Sequence, residues 1–415
     1  MLYNAYELQR SMLAGASALA NISVGLLNNP ANPFAYFGGG PVVASALEVF
    51  AHAAAPRGKP AFGLDRTTVD GREVQVVEEI VLQKPFGQLK HFRREGVTGG
   101  EKLLIVAPMS GHYATLLRGT VERMLPRHDV YITDWRDAKL VPLADGRFDL
   151  DDYVDYLIAF LEAIGTASVA EGGSVRPHVL AVCQPSVPAY AAAALMSAAK
   201  HSNRPATLTM MGGPIDTREA PTAVNTLATE RPHAWFRQNV IATVPMTYPG
   251  AGREVYPGFL QLAGFMTMNL GNHLNSHWEL FKHLVAGDGD SADATMRFYD
   301  EYRSVCDMTA EFYLQTIDVV FQNHSLPKGE MMHRGTRVDP AAITDIAILA
   351  IEGERDDISG VGQTKAALTS STALPEDKKR YHMAPEVGHY GIFNGSKWRN
   401  RIAPVVEEWI ATHAA

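Results

Sequence analysis

The chain has 415 residues, 46% of them hydrophobic, with 37 Lys and Arg against 45 Asp and Glu and a formal net charge of −8. That length allows one large or two smaller domains with ample apolar material for a core, and the lack of any basic block excludes nucleic acid as a partner. Two cysteines, Cys183 and Cys306, cannot build a disulfide framework, which excludes a secreted disulfide scaffold and points to a cytoplasmic enzyme.

The first segment, residues 1–65, is alanine-rich and reads as mostly helical, broken by Asn29-Pro30-Ala31-Asn32-Pro33 and by Gly38-Gly39-Gly40-Pro41. The glycine triplet lacks the preceding strand and following lysine of a phosphate loop and reads as a bend. Ser11–Leu27 is small and apolar, but Glu7 precedes it, Arg10 is the one basic residue before it and Asn21 interrupts it. A helix packed on the body is therefore expected in place of a secretion signal, and no uncharged apolar run is long enough for a membrane span.

Residues 72–94 alternate as two antiparallel strands about Pro85-Phe86-Gly87. The rhythm then changes to short apolar runs at Leu103–Ala107, Val130–Thr133, Val179–Val182, Leu208–Met211 and Ile346–Ile351. Such runs suit a buried parallel sheet, and the helical stretches Leu150–Ile164 and Ala189–Lys200 between them predict an α/β fold. Between Gly213 and Ala341 the alternation stops and the composition turns aromatic and rich in methionine. The expected organisation is thus a first core part at 66–212, an inserted, mostly helical cap at 213–340, and a second core part at 341–415.

Within this frame, Val179–Val182 stops abruptly at Cys183, and an alanine-rich helical pattern follows Pro185. Strand, sharp turn and helix lift one side chain above a parallel sheet to a helix N-terminus, where the dipole and free N–H groups favour an anionic sulfur. Small flanks are needed two residues either side, and Ala181 and Pro185 stand where glycines are usual. A buried core thiol is the plain alternative. Ser186, in Gln184-Pro185-Ser186-Val187-Pro188, is the rival nucleophile, but it begins the helix and is expected to cap it.

A thiol nucleophile needs a base, an acid to orient that base, and donors for the oxyanion, all from loops at the carboxyl ends of strands. The order nucleophile, acid, histidine belongs to the α/β-hydrolase fold. Ile346–Ile351 runs into Glu352-Gly353-Glu354-Arg355-Asp356-Asp357. Asp356, three beyond the turn glycine, is the preferred acid; Asp357 competes, and Glu352 and Glu354 are expected in solvent. An edge strand at Arg380–Met383 leads to Gly388-His389-Tyr390, which makes His389 the base. The oxyanion donors are expected to be the Gln184 N–H and that of Met109 or Ser110, in the loop before His112. His273, His277 and His283 recur at helical spacing without the glutamate of a zinc-protease helix, so no metal is expected there.

These windows resemble a known family. Val182-Cys183-Gln184-Pro185-Ser186-Val187-Pro188, the loop 107–121, the segment 352–360 and the ending 385–395 look like intracellular poly(3-hydroxybutyrate) depolymerases of bacteria, relatives of the polyester synthases. The resemblance runs over nearly the whole chain. It implies Cys183 as nucleophile, Asp356 as orienting acid and His389 as base, acting through an acyl-thioester on an amorphous storage polyester at granules in the cytoplasm. No cofactor is implied, and a homo-oligomer is compatible with it. Tyr248, Phe259, Phe265 and Trp278 are the expected polymer contacts. A polyester synthase or acyltransferase, or a small-ester hydrolase, would carry the same triad.

Overall fold

The computed structural model describes residues 2–29, 31–32, 40–170, 176–268, 296 and 299–414. Its centre is a nine-stranded sheet. Strands β1 (Arg66–Val69), β2 (Arg72–Lys84) and β3 (Gly87–Arg94) form an antiparallel meander, as the alternation at 72–94 predicts. Strands β4 (Lys102–Val106), β5 (Asp129–Trp135), β6 (His178–Val182) and β7 (Thr207–Met211) coincide with the apolar runs. The inserted segment contributes β8 (Ala242–Thr243), β9 (Glu254–Tyr256) and β10 (Met308–Thr309) as one small sheet, and β11 (Met332–His333) with β12 (Thr336–Arg337) as a ribbon. Strands β13 (Ala347–Gly353) and β14 (Lys379–Ala384) complete the main sheet.

The main-sheet order is β1-β2-β3-β5-β4-β6-β7-β13-β14. From β5 onward every neighbour is parallel, and β3 alone is antiparallel to β5. Leaving out β1, this is the 1-2-4-3-5-6-7-8 order of an α/β-hydrolase sheet, with strand 2 reversed. All residues of β4, β6, β7 and β13 are buried, which explains their unbroken apolar character: both faces are covered by helices.

Helix α1 (Leu2–Leu27) and helix α2 (Gly40–Ala54) pack on each other before the sheet begins. Helix α3 (Arg118–Met124) follows β4, helix α4 (Leu150–Ala170) follows β5, and helix α5 (Ser186–Ala198) follows β6. Ala191, Ala192, Ala193 and Ala194 of α5 are all buried. Their lack of bulk lets α5 lie close against α4 and the sheet.

The structure adds to three of these expectations. The regular structure in the described part of 213–340 is mostly helical, with α6 (Ala223–Glu230), α7 (His233–Asn239), α8 (Gly258–Met268) and a further helical stretch from Ala310–Thr316 into Ile317–Gln322, and it adds the five strands β8–β12. Each spans only two or three residues, too short for alternation to register in the sequence. Helix α1 touches the body mainly through its first turns, and most of its length is exposed. Finally, Tyr3–Leu27 and Leu150–Ala170 are both long and apolar enough, by length and composition alone, to cross a bilayer. The few charges they carry break an uncharged run without lowering the mean hydropathy much; α4 is nonetheless largely a core helix, with nine buried residues.

Candidate active site

At the end of β6 the backbone turns sharply. Cys183 has φ +66°, a left-handed conformation that non-glycine residues seldom adopt. Its N–H donates to the Met211 carbonyl at 2.7 Å, and its carbonyl accepts from the Ser186 N–H at 3.0 Å as α5 begins. The Cys183 side chain is thereby raised over the carboxyl edge of the sheet, half-buried and facing a cavity.

The room that flanking glycines would give this turn comes instead from the neighbouring strand. A Cβ on Gly213 would lie 2.1 Å from the Ser186 Oγ and 3.1 Å from the Cys183 carbonyl. One on Gly212, at φ +59°, would lie 3.2 Å from both Asp356 Oδ2 and His389 Cε1. The two glycines ending β7 let the elbow, the acid and the base converge.

Ser186 is fully buried, and its Oγ has no hydrogen-bond partner among the described residues. The expected cap is therefore absent. Pro185 occupies the N-cap, so the Ser186 hydroxyl sits inside the first turn against Gly213 and does not line the cavity.

His389 opens the short turn His389–Ile392 after β14. Its Nδ1 meets Asp356 Oδ2 at 2.8 Å, and the residue lines the same cavity as Cys183. Asp356 Oδ1 accepts from the N–H groups of Ile358 and Ser359, both at 2.9 Å, which fixes the carboxylate. Asp357 is exposed and makes no such contact with His389. The acid and base loops are laced together by Glu354 N–H to Ala384 O at 3.0 Å and Arg355 N–H to Val387 O at 2.9 Å.

Burial alone would push the His389 imidazole towards its neutral form. The charges of Cys183 and Asp356 and the hydrogen bond to Asp356 outweigh that and raise its pKa well above the ordinary histidine value.

Gln184 and Met109, the residues expected to supply oxyanion donors, both line the cavity. The Gln184 N–H makes no backbone hydrogen bond among the described residues. The Met109 N–H donates to the Gln184 side-chain oxygen at 3.4 Å, so the Gln184 amide oxygen stands where a second donor points. Ser110 lines the same cavity. The loop is braced from beneath, since the Ala107 carbonyl accepts from Trp135 Nε1 at 2.8 Å and Tyr153 Oη at 3.1 Å. His112 is buried against the Tyr302 carbonyl, and burial lowers its pKa to about 4, which keeps it neutral.

The cavity has a volume of about 670 Å³ and an apolar lining that includes Phe236, Tyr256, Phe312, Tyr313, Tyr390 and Phe393. Of the expected polymer contacts, Tyr248 and Phe259 are elsewhere. Phe259 stacks on Tyr6 with centroids 3.8 Å apart, and Tyr248 accepts from Arg10 at 3.2 Å, so both anchor α1. They are single aromatics, Tyr248 in a bend and Phe259 on α8, whose direction cannot be read without knowing what packs on them. The Phe265 side chain and Trp278 lie outside the described residues, as do His273, His277 and His283. The aromatics that do line the cavity include Tyr390 and Phe393, one and four positions beyond His389, a spacing that could have signalled them.

Glu352, expected in solvent, is 1% exposed. It accepts from the N–H groups of Gly362, Thr364 and Lys365 and from Tyr381 Oη at 2.7–2.9 Å, and so holds the loop that follows the acid. Among the described residues no group of three His, Cys, Asp or Glu could hold a metal ion.

With this geometry in view, residues 212–414 match the family described as PHB de-polymerase C-terminus, from the end of β7 through the acid and the base. Over that stretch, just under half of its length, the chain is similar to the PHB de-polymerase family. It is a carboxylic ester hydrolase of the α/β-hydrolase fold. No curated protein sequence matches it significantly. Solved structures of similar path include an esterase from Thermogutta terrifontis, with 14% identity and a TM-score of 0.43 over 85% of this chain and 98% of that one. Another is a monoacylglycerol lipase from Paleococcus ferrophilus, with 12% identity and a TM-score of 0.42 over 76% and 97%. An enol-lactonase from Burkholderia xenovorans LB400 has 9% identity and a TM-score of 0.41 over 83% and 99%.

Proposed function

We propose that this protein cleaves the ester bonds of amorphous poly(3-hydroxybutyrate) with Cys183 as nucleophile, His389 as base and Asp356 as the orienting acid. His389 takes the Cys183 proton, and the sulfur attacks an ester carbonyl. The developing oxyanion rests on the Gln184 and Met109 N–H groups once the Gln184 side-chain oxygen gives way. Collapse forms an acyl-thioester, and His389 returns its proton to the departing alkoxide. Water then attacks the thioester with His389 again as base, releasing the acid and restoring the thiol.

The observation that carries this reading is the position of His389, hydrogen-bonded to Asp356 and lining, together with Cys183, the wall of one apolar cavity. Such a lining suits an uncharged aliphatic polyester. The family match supports the polymer, and the likeness to intracellular members supports action at granules in the cytoplasm.

Incubation with native amorphous granules and assay of released 3-hydroxybutyrate species tests it, with Cys183→Ala alongside. Release by the wild type and none by the variant is expected. Turnover of short esters with no release from granules would leave a small-ester hydrolase.

A further inference from the structure

The α1–α2 hairpin is packed inside out. Its seam is built from small residues: Ala20, Ala44 and Ala51 are buried, and the Ser17 hydroxyl donates to the Ala51 carbonyl at 2.7 Å. Its large apolar side chains point away. Leu8, Met12, Leu19, Ile22 and Leu26 are each 60–68% exposed, in steps of four, seven, three and four that mark one stripe of a helix. Nine of the eighteen exposed large apolar side chains among the described residues lie on this hairpin, so the exposure is concentrated and not the usual scatter.

Charge narrows what could cover that stripe. From Ser11 to Leu47 the sequence has no Asp, Glu, Lys or Arg. A helix that lies on anionic lipid carries Lys or Arg on its polar face, and a charged protein partner would find nothing here to pair with. An uncharged apolar surface is the matching one.

The root of the hairpin continues into the candidate active site. The Tyr3 hydroxyl donates to Asp307 Oδ2 at 2.5 Å, while Asp307 Oδ1 accepts from the Gly258 N–H at the start of α8 at 2.9 Å. Tyr6 stacks on Phe259 of α8, and Arg10 reaches Tyr248. Helix α8 in turn lines the cavity with Gln261, Ala263 and Gly264.

We propose that the α1–α2 hairpin is a docking arm that lays its apolar stripe on the surface of an uncharged, water-insoluble polyester, and that its root on Asp307 and Phe259 holds the cavity-lining helix α8 at that surface. The identity of the surface rests on the function proposed above. Docking raises the local concentration of scissile esters at Cys183 without any new contact in the cavity.

The test uses the full-length chain carrying Leu19→Glu, Ile22→Glu and Leu26→Glu together, with Leu19→Gln, Ile22→Gln and Leu26→Gln as a milder set should the first fail to fold. Binding is read by sedimentation with protein-free amorphous poly(3-hydroxybutyrate) particles, and turnover with a water-soluble chromogenic butyrate ester. Loss of particle binding by at least about tenfold is expected, with soluble-ester turnover within about twofold of wild type. Unchanged particle binding would overturn the proposal. So would a change from dimer to monomer in light scattering with particle binding kept, which would make the stripe a self-interface. Capture of the wild type by phosphatidylcholine vesicles as strong as by particles would equally overturn it. Wild-type protein that binds particles but turns over no ester would remove the hydrolase reading and leave the arm standing.

Discussion

The Nδ1 of His389 lies 2.8 Å from Asp356 Oδ2, although 33 residues separate them in the chain. The two sit on loops that leave adjacent parallel strands, β13 and β14, and Cys183 faces them from β6 two strands away. The predictions below concern this constellation.

The assignment of the nucleophile is separable by two alanine variants. Cys183→Ala and His389→Ala are each expected to lower kcat/KM by at least about 10³-fold, because the groups act as a unit. Ser186→Ala is expected to stay within about twofold of wild type and to change stability by no more than about 1 kcal/mol, since its buried hydroxyl has no partner to lose. Ester turnover measured beside urea unfolding decides between them; activity lost in Ser186→Ala and kept in Cys183→Ala would transfer the role to the serine.

Cys183→Gly tests the strain in the turn. Glycine adopts φ +66° freely, and relief of the left-handed penalty, less the entropy that glycine loses on folding, stabilises the protein by about 1 kcal/mol. The expected outcome is a raised unfolding midpoint with no ester turnover. A lowered midpoint would mean that the sulfur contributes more to packing than the turn costs.

Gly212→Ala is expected to damage the site although Gly212 is not itself a catalytic residue. The added methyl would lie 3.2 Å from Asp356 Oδ2 and His389 Cε1, at a φ that alanine resists. A destabilisation of about 1–2 kcal/mol and a fall in kcat of about 10²-fold follow from the strained backbone and the displaced pair. An active, fully stable Gly212→Ala would show that the acid–base pair tolerates displacement.

Protonation of His389 sets a pH dependence. Its pKa is raised in the folded state, so the stabilisation is whole below the unfolded histidine value of about 6.5 and is lost as pH climbs through the raised value. Cys183→Ala removes one of the charges that raise it, and the His389 titration midpoint followed by NMR should fall. The decline in unfolding free energy on the alkaline side should shift to lower pH with it. An unmoved midpoint would mean that the sulfur carries no charge beside the ring.

Much of this was legible from the chain because it is local. A buried parallel strand is a short apolar run whatever surrounds it, so β4, β5, β6, β7 and β13 announce themselves. The turn at Cys183 shows as an apolar run that stops before a helix. Glu352 was misread because burial of a carboxylate depends on which N–H groups the fold brings to it, and three of its donors lie 10–13 residues further on.

The sequence by itself determined the order of strands and helices, the run of loops from which the candidate groups arise, and the hydrolase chemistry those groups allow. These follow from periodicity and residue type within short windows. Only the tertiary structure decided that Asp356 and not Asp357 meets His389, that Gly212 and Gly213 make room for the elbow, and that Tyr248 and Phe259 root α1 while Tyr390 and Phe393 line the cavity. Each of those depends on a side chain's direction and on neighbours distant in the chain, which packing alone sets.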